Sequence, residues 1–268
     1  MTAIIEIIKA VLFGIIEGIT EWLPISSTGH LILLNEFITL KCSDEFLEMF
    51  DVVIQLGAIL AVVLLFWKKL WPFTSKENGY VKKDTLSMWL KILVACIPAI
   101  IIGLPLDDWC HKLFYNGLSV AVMLILFGVL FIVIENKHKG VKPKINSIKD
   151  ISYKNALIIG GFQLIAALFP GTSRSGATIV GSLMLGLSRP VAAEFTFFLA
   201  IPAMLGASVL KIGKFIASGI AITGTEIAVL LIGCFVSFVV SVFVIRFLMG
   251  YIRKHDFKVF GWYRIILG

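Results

Sequence analysis

Gly14-Ile-Ile-Glu-Gly-Ile-Thr-Glu-Trp-Leu-Pro-Ile-Ser-Ser27 aligns without gaps on Gly160-Gly-Phe-Gln-Leu-Ile-Ala-Ala-Leu-Phe-Pro-Gly-Thr-Ser173, and this internal repeat decides how the chain is read. Pro24 meets Pro170, and Ser27 meets Ser173. Each copy is an apolar segment that runs into a proline and a short polar turn before a second apolar segment begins: 4–23 with 26–40, and 155–169 with 175–187. Segments joined this closely predict re-entrant helical hairpins, about 4–40 and about 155–187, rather than four separate crossings.

The rest of the chain has the composition of a membrane protein. Of its 268 residues 59% are hydrophobic and 15% charged, and the mean hydropathy is +0.98, which excludes an ordinary soluble domain. Val52–Trp67, Gly117–Ile134 and Ile227–Phe247 approach or exceed the roughly 20 residues that a ~30 Å hydrocarbon core demands. Outside the hairpins the apolar segments are 50–67, 88–104, 117–134, 191–212, 226–249 and 258–268, which predicts about six membrane crossings. Met1–Ala10 carries Glu6 and Lys9 within its apolar pattern and lacks a basic leader with a cleavage site, so no removable signal peptide is expected.

Loop charge sets the orientation. The loop 68–91 carries Lys68, Lys69, Lys76, Lys82, Lys83 and Lys91, and 137–154 carries Lys137, Lys139, Lys142, Lys144, Lys149 and Lys154; both read as cytoplasmic. Asp107 and Asp108, and the run Asp44, Glu45, Glu48 and Asp51, mark 105–112 and 41–51 as external. Lys211 and Lys214 fall on the external side and run against the pattern. The net charge of +7 thus belongs to membrane orientation and not to a nucleic-acid partner. Cys42, Cys96, Cys110 and Cys234 lie too far apart for a disulfide framework or a metal spacing.

Three crossings separate the hairpins, so the second enters from the opposite face. The expected fold is an all-α polytopic membrane protein, one membrane domain over 1–268. It is built as an inverted-topology repeat of two five-helix halves, 1–136 and 150–268. In such folds the broken polar segments of the halves meet inside the membrane.

Those segments hold the chemistry. Glu17 and Glu21 are four apart and share one helical face; they are suitable oxygen ligands for Mg²⁺ or Ca²⁺, although no complete cage is legible. Ser26 or Ser27 can cap the next helix, whose free N–H groups make an anion site, with Thr28 and His30 beside it. The second turn offers Gly171, Thr172, Ser173, Arg174, Ser175 and Gly176, with an arginine fork suited to phosphate oxygens. Together the turns would surround a diphosphate with hydroxyls, backbone donors, a guanidinium, an imidazole and two carboxylates, the set that phosphomonoester chemistry needs. The bland reading makes Glu17, Glu21 and Arg174 a buried ion network, His30 a packing group, and Ser26, Thr28, Thr172 and Ser175 simple caps. Charge at membrane depth costs about 3 kcal/mol per group and tends to be functional, which favours the chemical reading. Asp51, Gln55, Arg189 and Glu194 read as interfacial or helix-pairing groups.

Glu-Gly-Ile-Thr-Glu-Trp-Leu-Pro-Ile-Ser-Ser-Thr-Gly-His at 17–30 and Pro-Gly-Thr-Ser-Arg-Ser-Gly-Ala-Thr at 170–178 resemble the undecaprenyl-diphosphate phosphatase (bacitracin-resistance) family, as do Phe50–Val63 and Glu194–Pro202. The resemblance covers nearly the whole chain. It implies a bacterial inner-membrane hydrolase that converts undecaprenyl diphosphate to the monophosphate and recycles the cell-wall lipid carrier. The site is expected to open on the extracytoplasmic side and to require a divalent cation. By motif position it places functional residues at Glu17, Glu21, Ser27, His30 and Arg174, with Ser173 and Ser175 lining the phosphate turn. The nucleophile stays open between Ser27, His30 and water; a homodimer is neither required nor excluded. The family ends in a full crossing helix, whereas residues 258–268 reach only roughly 16 Å. Two alternatives compete: a lipid flippase or transporter with the same inverted-repeat site, and the other membrane lipid-phosphatase family. The latter needs a second histidine in a stretch where this chain, between His138 and His255, has none.

Overall fold

The structure is a computed structural model that describes residues 2–74 and 80–268; Lys76, counted above with the basic loop, lies outside them. Helices α1 (Thr2–Thr20) and α2 (Ser27–Phe37) are followed by α3 (Asp44–Leu70) and α4 (Lys83–Pro98). A π-helical turn, Ala99–Gly103, carries α4 into α5 (Leu104–Phe114), and α6 (Gly117–Lys137) ends the first half. The second half holds α7 (Tyr153–Leu168), α8 (Arg174–Met184), α9 (Arg189–Ala217), α10 (Gly224–Tyr251) and α11 (Lys258–Leu267). The chain is an all-α polytopic membrane protein. Among the described residues five helical stretches are long and apolar enough to cross a bilayer: α3, α4 with α5, α6, α9 and α10. The sequence suggested about six. The sixth segment, α11, has 10 described residues and at 1.5 Å per residue rises about 15 Å.

Both short helix pairs turn back to the face they came from. At the open end of the first, Lys9 Nζ donates to the Thr39 carbonyl (2.6 Å) and the Lys41 N–H to Glu6 (2.8 Å). At the open end of the second, the chain before α7 pairs with the chain after α8: Ile145 N–H donates to the Gly186 carbonyl and Ser188 N–H to the Ile145 carbonyl. The first end belongs to the acidic face, where Ser43 meets Glu226. The second belongs to the basic face, where Arg189 pairs with Glu135 and Lys69 with Glu194. The two lysines that broke the loop-charge pattern are neutralised on the acidic face, Lys211 by Glu48 and Lys214 by Asp108.

Each hairpin leans on the other half. Helix α1 packs along α10 and α7 along α4, while α3 lies against α9 and α6 against α11. This is the pairing that two halves related by a two-fold axis produce. The close approaches repeat accordingly: a Cβ on Gly14 would stand 2.7 Å from the Gly233 carbonyl oxygen, and one on its repeat partner Gly160 would stand 2.2 Å from that of Ala95. With lipid as solvent, helices gain nothing from hiding apolar surface, so such small-residue contacts hold them together.

Candidate functional site: two capped turns that share one carboxylate

Each hairpin turns on a serine in a conformation that L-residues avoid. Ser26 (φ 75°) caps α2 and accepts a hydrogen bond from the Gly29 N–H at 3.3 Å; Ser173 (φ 69°) caps α8 and accepts from the Gly176 N–H at 3.1 Å. Positive φ at a non-glycine residue costs energy and persists where the surroundings impose it. The caps correct the gapless alignment. The second turn holds one extra residue between its proline and its cap, so Ser26 corresponds to Ser173 and Ser27 to Arg174.

These two first helical residues converge on Glu21. Ser27 Oγ donates to Glu21 Oε2 at 2.7 Å, and Arg174 Nη2 donates to Glu21 Oε1 at 2.5 Å. The second Arg174 nitrogen, Nη1, donates to the Thr196 carbonyl of α9 at 3.2 Å, and the Thr196 and Thr178 hydroxyls lie 2.9 Å apart. Ser175 Oγ donates to the Glu21 carbonyl at 3.1 Å, stitching the second turn to the end of the first hairpin helix. The hydroxyl, carboxylate and guanidinium therefore form one chain across both halves, with the N-termini of α2 and α8 beside it. Such termini favour anions.

Glu17 lies one helical turn before Glu21 and is completely buried; neither of its carboxylate oxygens meets a hydrogen-bond donor. An ionised carboxylate left so at membrane depth is costly. A divalent cation held by Glu17 and Glu21, with its remaining ligands from phosphate oxygens or water, fits this orphaned group. The protein alone supplies no complete cage, since no cluster of three or more His, Cys, Asp or Glu suited to a metal exists among the described residues.

A cavity of about 730 Å³ opens onto the clamp. Glu21, Ser27, Thr28, Ser173 and Arg174 line its polar end; α4, the π-helical turn, α7 and α9 form apolar walls that include Leu93, Ile100, Ala166 and Met204. Its exposed rim carries Asp107, Asp108, Lys211 and Lys214, so it opens on the acidic face. Pro98 and the π-helical turn place Ala99, Ile100 and Gly103 along the wall, a local widening of the kind often found at functional sites.

Several residues singled out in the sequence sit elsewhere. His30 faces α11: its Nδ1 is 2.7 Å from the Ser26 carbonyl, its Nε2 is 2.7 Å from the Tyr263 hydroxyl, and the two rings stack 5.6 Å apart. Both imidazole nitrogens are occupied, and the ring does not line the cavity. Ser26, Thr172, Ser175 and Gly176 lie behind the turns, Ser26 and Ser175 with their hydroxyls spent on the backbone or a neighbouring serine and the Thr172 hydroxyl buried without a hydrogen-bond partner. Arg189 and Glu194 pair helices as the sequence suggested, with Glu135 and Lys69. Gln55, grouped with them, instead lines the cavity, as does Gln163, the repeat counterpart of Glu17.

The sequence also hid Arg264. Its side chain is fully buried and donates to the carbonyls of Pro24 (3.1 Å), Gly171 (2.9 Å) and Thr172 (2.8 Å), with longer bonds to Leu124 and Met123 of α6. It has no carboxylate partner among the described residues. One arginine thus ties both turns to α6, and its charge lies directly behind the phosphate turn. The available signal was an ionisable residue inside the last apolar segment.

Comparison with known proteins agrees over the whole chain. The family model described as "Bacitracin resistance protein BacA" matches residues 10–268. An undecaprenyl-diphosphatase of Desulfitobacterium hafniense is 66% identical over 99% of this chain and 95% of its own length. Undecaprenyl-diphosphatase 1 of Clostridium acetobutylicum is 62% identical over 98% and 95%. An undecaprenyl-diphosphatase of Enterococcus faecalis is 60% identical over 97% and 94%.

Proposed function

Because the chain belongs to the bacitracin resistance protein BacA family, we propose that it is a membrane phosphatase that hydrolyses undecaprenyl diphosphate to undecaprenyl phosphate and inorganic phosphate. The observation that carries this reading is the Ser27–Glu21–Arg174 chain at the polar end of a cavity with apolar walls. A diphosphate lipid has the same division, with a charged head for the turns and an isoprenoid tail for the gap between α4 and α9.

The geometry favours Ser27 as nucleophile, the choice the sequence left open. Its hydroxyl already donates to Glu21, the arrangement of an activated nucleophile with its base. Arriving phosphate takes the Arg174 fork from Glu21. Ser27 Oγ then bonds to the terminal phosphorus and its proton passes to Glu21, while the bond from that phosphorus to the bridging oxygen breaks and undecaprenyl phosphate departs. Glu21 passes that proton to the departing phosphate oxygen and, free again, deprotonates a water that attacks the phosphorus held on Ser27; the Ser27 Oγ–P bond breaks, Ser27 takes the proton back from Glu21, and inorganic phosphate leaves. Donors held at the starts of α2 and α8 stabilise the charge on the equatorial oxygens. With its nitrogens occupied, His30 acts as a brace between α2 and α11. A divalent cation on Glu17 and Glu21 would supply charge neutralisation for the phosphate oxygens.

The acidic loops around the rim and the lysines on the opposite face support a site open to the extracytoplasmic side of a bacterial plasma membrane. The test is phosphate release from C15 and C55 diphosphates by purified protein, with and without chelator. Turnover that survives in both Ser27→Ala and Arg174→Ala would end the mechanism, and lipid transfer without phosphate release would favour the transporter reading.

A further inference from the structure

On the basic face, far along the chain from the turns, a second cavity of about 340 Å³ lies where the C-terminus of α3, the start of α4, the 145–150 segment and the start of α9 meet. Lys69, Lys91 and Lys149 line it together with Ser87, Asp84 and Glu194. Two of the lysines are paired, Lys69 with Glu194 at 2.8 Å and Lys149 with Asp84 at 2.5 Å. The Lys149–Asp84 pair is exposed on both sides, so it is worth little and yields readily to a better anion; Lys69 is exposed but holds a largely buried Glu194. Lys91 differs. Its residue is 7% exposed, its Nζ donates only to the Lys149 carbonyl at 2.8 Å, and no carboxylate forms an ion pair with it among the described residues. Asp84 and Asp150 act on it only at longer range, so an ammonium with one neutral acceptor and two donors to spare faces a cavity whose own lining carries three lysines against two carboxylates.

Its depth identifies the source of the anion. Trp67, Trp71 and Phe73 stack at the end of α3 and are about half exposed, the aromatic belt that marks the headgroup level of a bilayer. Lys69 belongs to the same turn as Trp67. The cavity therefore opens where headgroup phosphates lie, on the face whose leaflet attracts lysine-rich loops.

We propose that this cavity binds the phosphate of an anionic phospholipid headgroup, with Lys91 as its fixed cation, Lys149 as a cation that leaves its exposed carboxylate to join it, and Lys69 beside it in its pair with Glu194. The occupied cavity links α3, α4, the α6–α7 loop and α9, and so braces the end of the second hairpin without touching the reacting groups.

Native mass spectrometry of the full-length protein, titrated with phosphatidylglycerol, phosphatidylcholine or inorganic phosphate, tests this alongside the thermal midpoint. Phosphatidylglycerol is expected to bind and raise the midpoint by several degrees, with phosphatidylcholine and free phosphate well behind. Lys91→Met, and independently the exposed Lys149→Gln, should weaken phosphatidylglycerol about 5-fold or more while phosphate release in detergent is unchanged. Equal binding of the two lipids, free phosphate that binds as tightly as phosphatidylglycerol, or wild-type affinity in Lys149→Gln would each overturn the proposal. Should Lys91→Met fail to fold, Lys149→Gln decides alone.

Discussion

The two turns share one backbone and carry different side chains. Each runs from a proline to a serine at positive φ that caps a helix through a glycine three residues on. Beyond the extra residue in the second turn, their telling difference is at the first helical position, with Ser27 in one and Arg174 in the other, and both reach the same carboxylate. The repeat thus presents two helix N-termini suited to anions, and under the mechanism proposed above the difference at this one equivalent position makes the first the reacting half and the second the holding half. The preceding helices divided in the same way, with buried Glu17 in the first matched by buried Gln163 in the second.

That division predicts unequal chemistry at equivalent positions and equal stability effects at the caps. The largest effect is expected from Ser27→Ala, which removes the attacking oxygen and should lower kcat by about 10⁴-fold or more; the reading breaks if a burst of phosphate release persists at wild-type rate. Arg174→Ala should cost about 10²- to 10³-fold, the scale of a lost charge-stabilising donor. Arg174→Lys should recover only part of this, because a point charge cannot replace the fork that spans Glu21 and Thr196; full recovery in steady-state kinetics would mean that charge alone matters there.

Arg264→Met sharpens the comparison from outside, because this residue serves both turns at once. Loss of its charge-assisted bonds should destabilise the fold by about 3 kcal/mol, read as a lower thermal midpoint, and an effect on neither stability nor turnover would show that the turns hold their register without it. The smallest effects belong to the caps. Ser26→Ala and Ser173→Ala should each cost about 1–2 kcal/mol, since alanine loses the cap and keeps the unfavourable φ. The glycine versions should be close to neutral. Thermal midpoints that differ widely between the two turns would contradict their equivalence.

Much of this was legible in the chain. The repeat around Pro24 and Pro170 announced two hairpins, and Glu21, Ser27 and Arg174 stood out because charge and hydroxyls inside apolar segments need a reason. The one-residue offset was missed because matching prolines imposed a gapless register; Ser-Ser-Thr-Gly at 26–29 against Ser-Arg-Ser-Gly at 173–176 carries the true one. His30 was misplaced in space because adjacency to Ser27 along the chain says nothing about which way a helical side chain points, and here Tyr263 holds it. What Arg264 and Thr196 hold was hidden for a different reason. Both act through backbone carbonyls, Arg264 by donating to that of Pro24, 240 positions away, and Thr196 by offering its own to Arg174, and carbonyls leave no mark in a sequence.

The packing of α1 against α10 also bears on biosynthesis. Helix α1 finds its long-term neighbour only after roughly 220 further residues have been made, a delay of roughly 10 to 45 s at about 5–20 residues per second. During that interval a segment bearing Glu17 and Glu21 has no permanent shelter in the bilayer. The nascent chain must keep it at the water boundary or in the care of the insertion machinery, so the helix that carries both glutamates is made well before its neighbour and seated late.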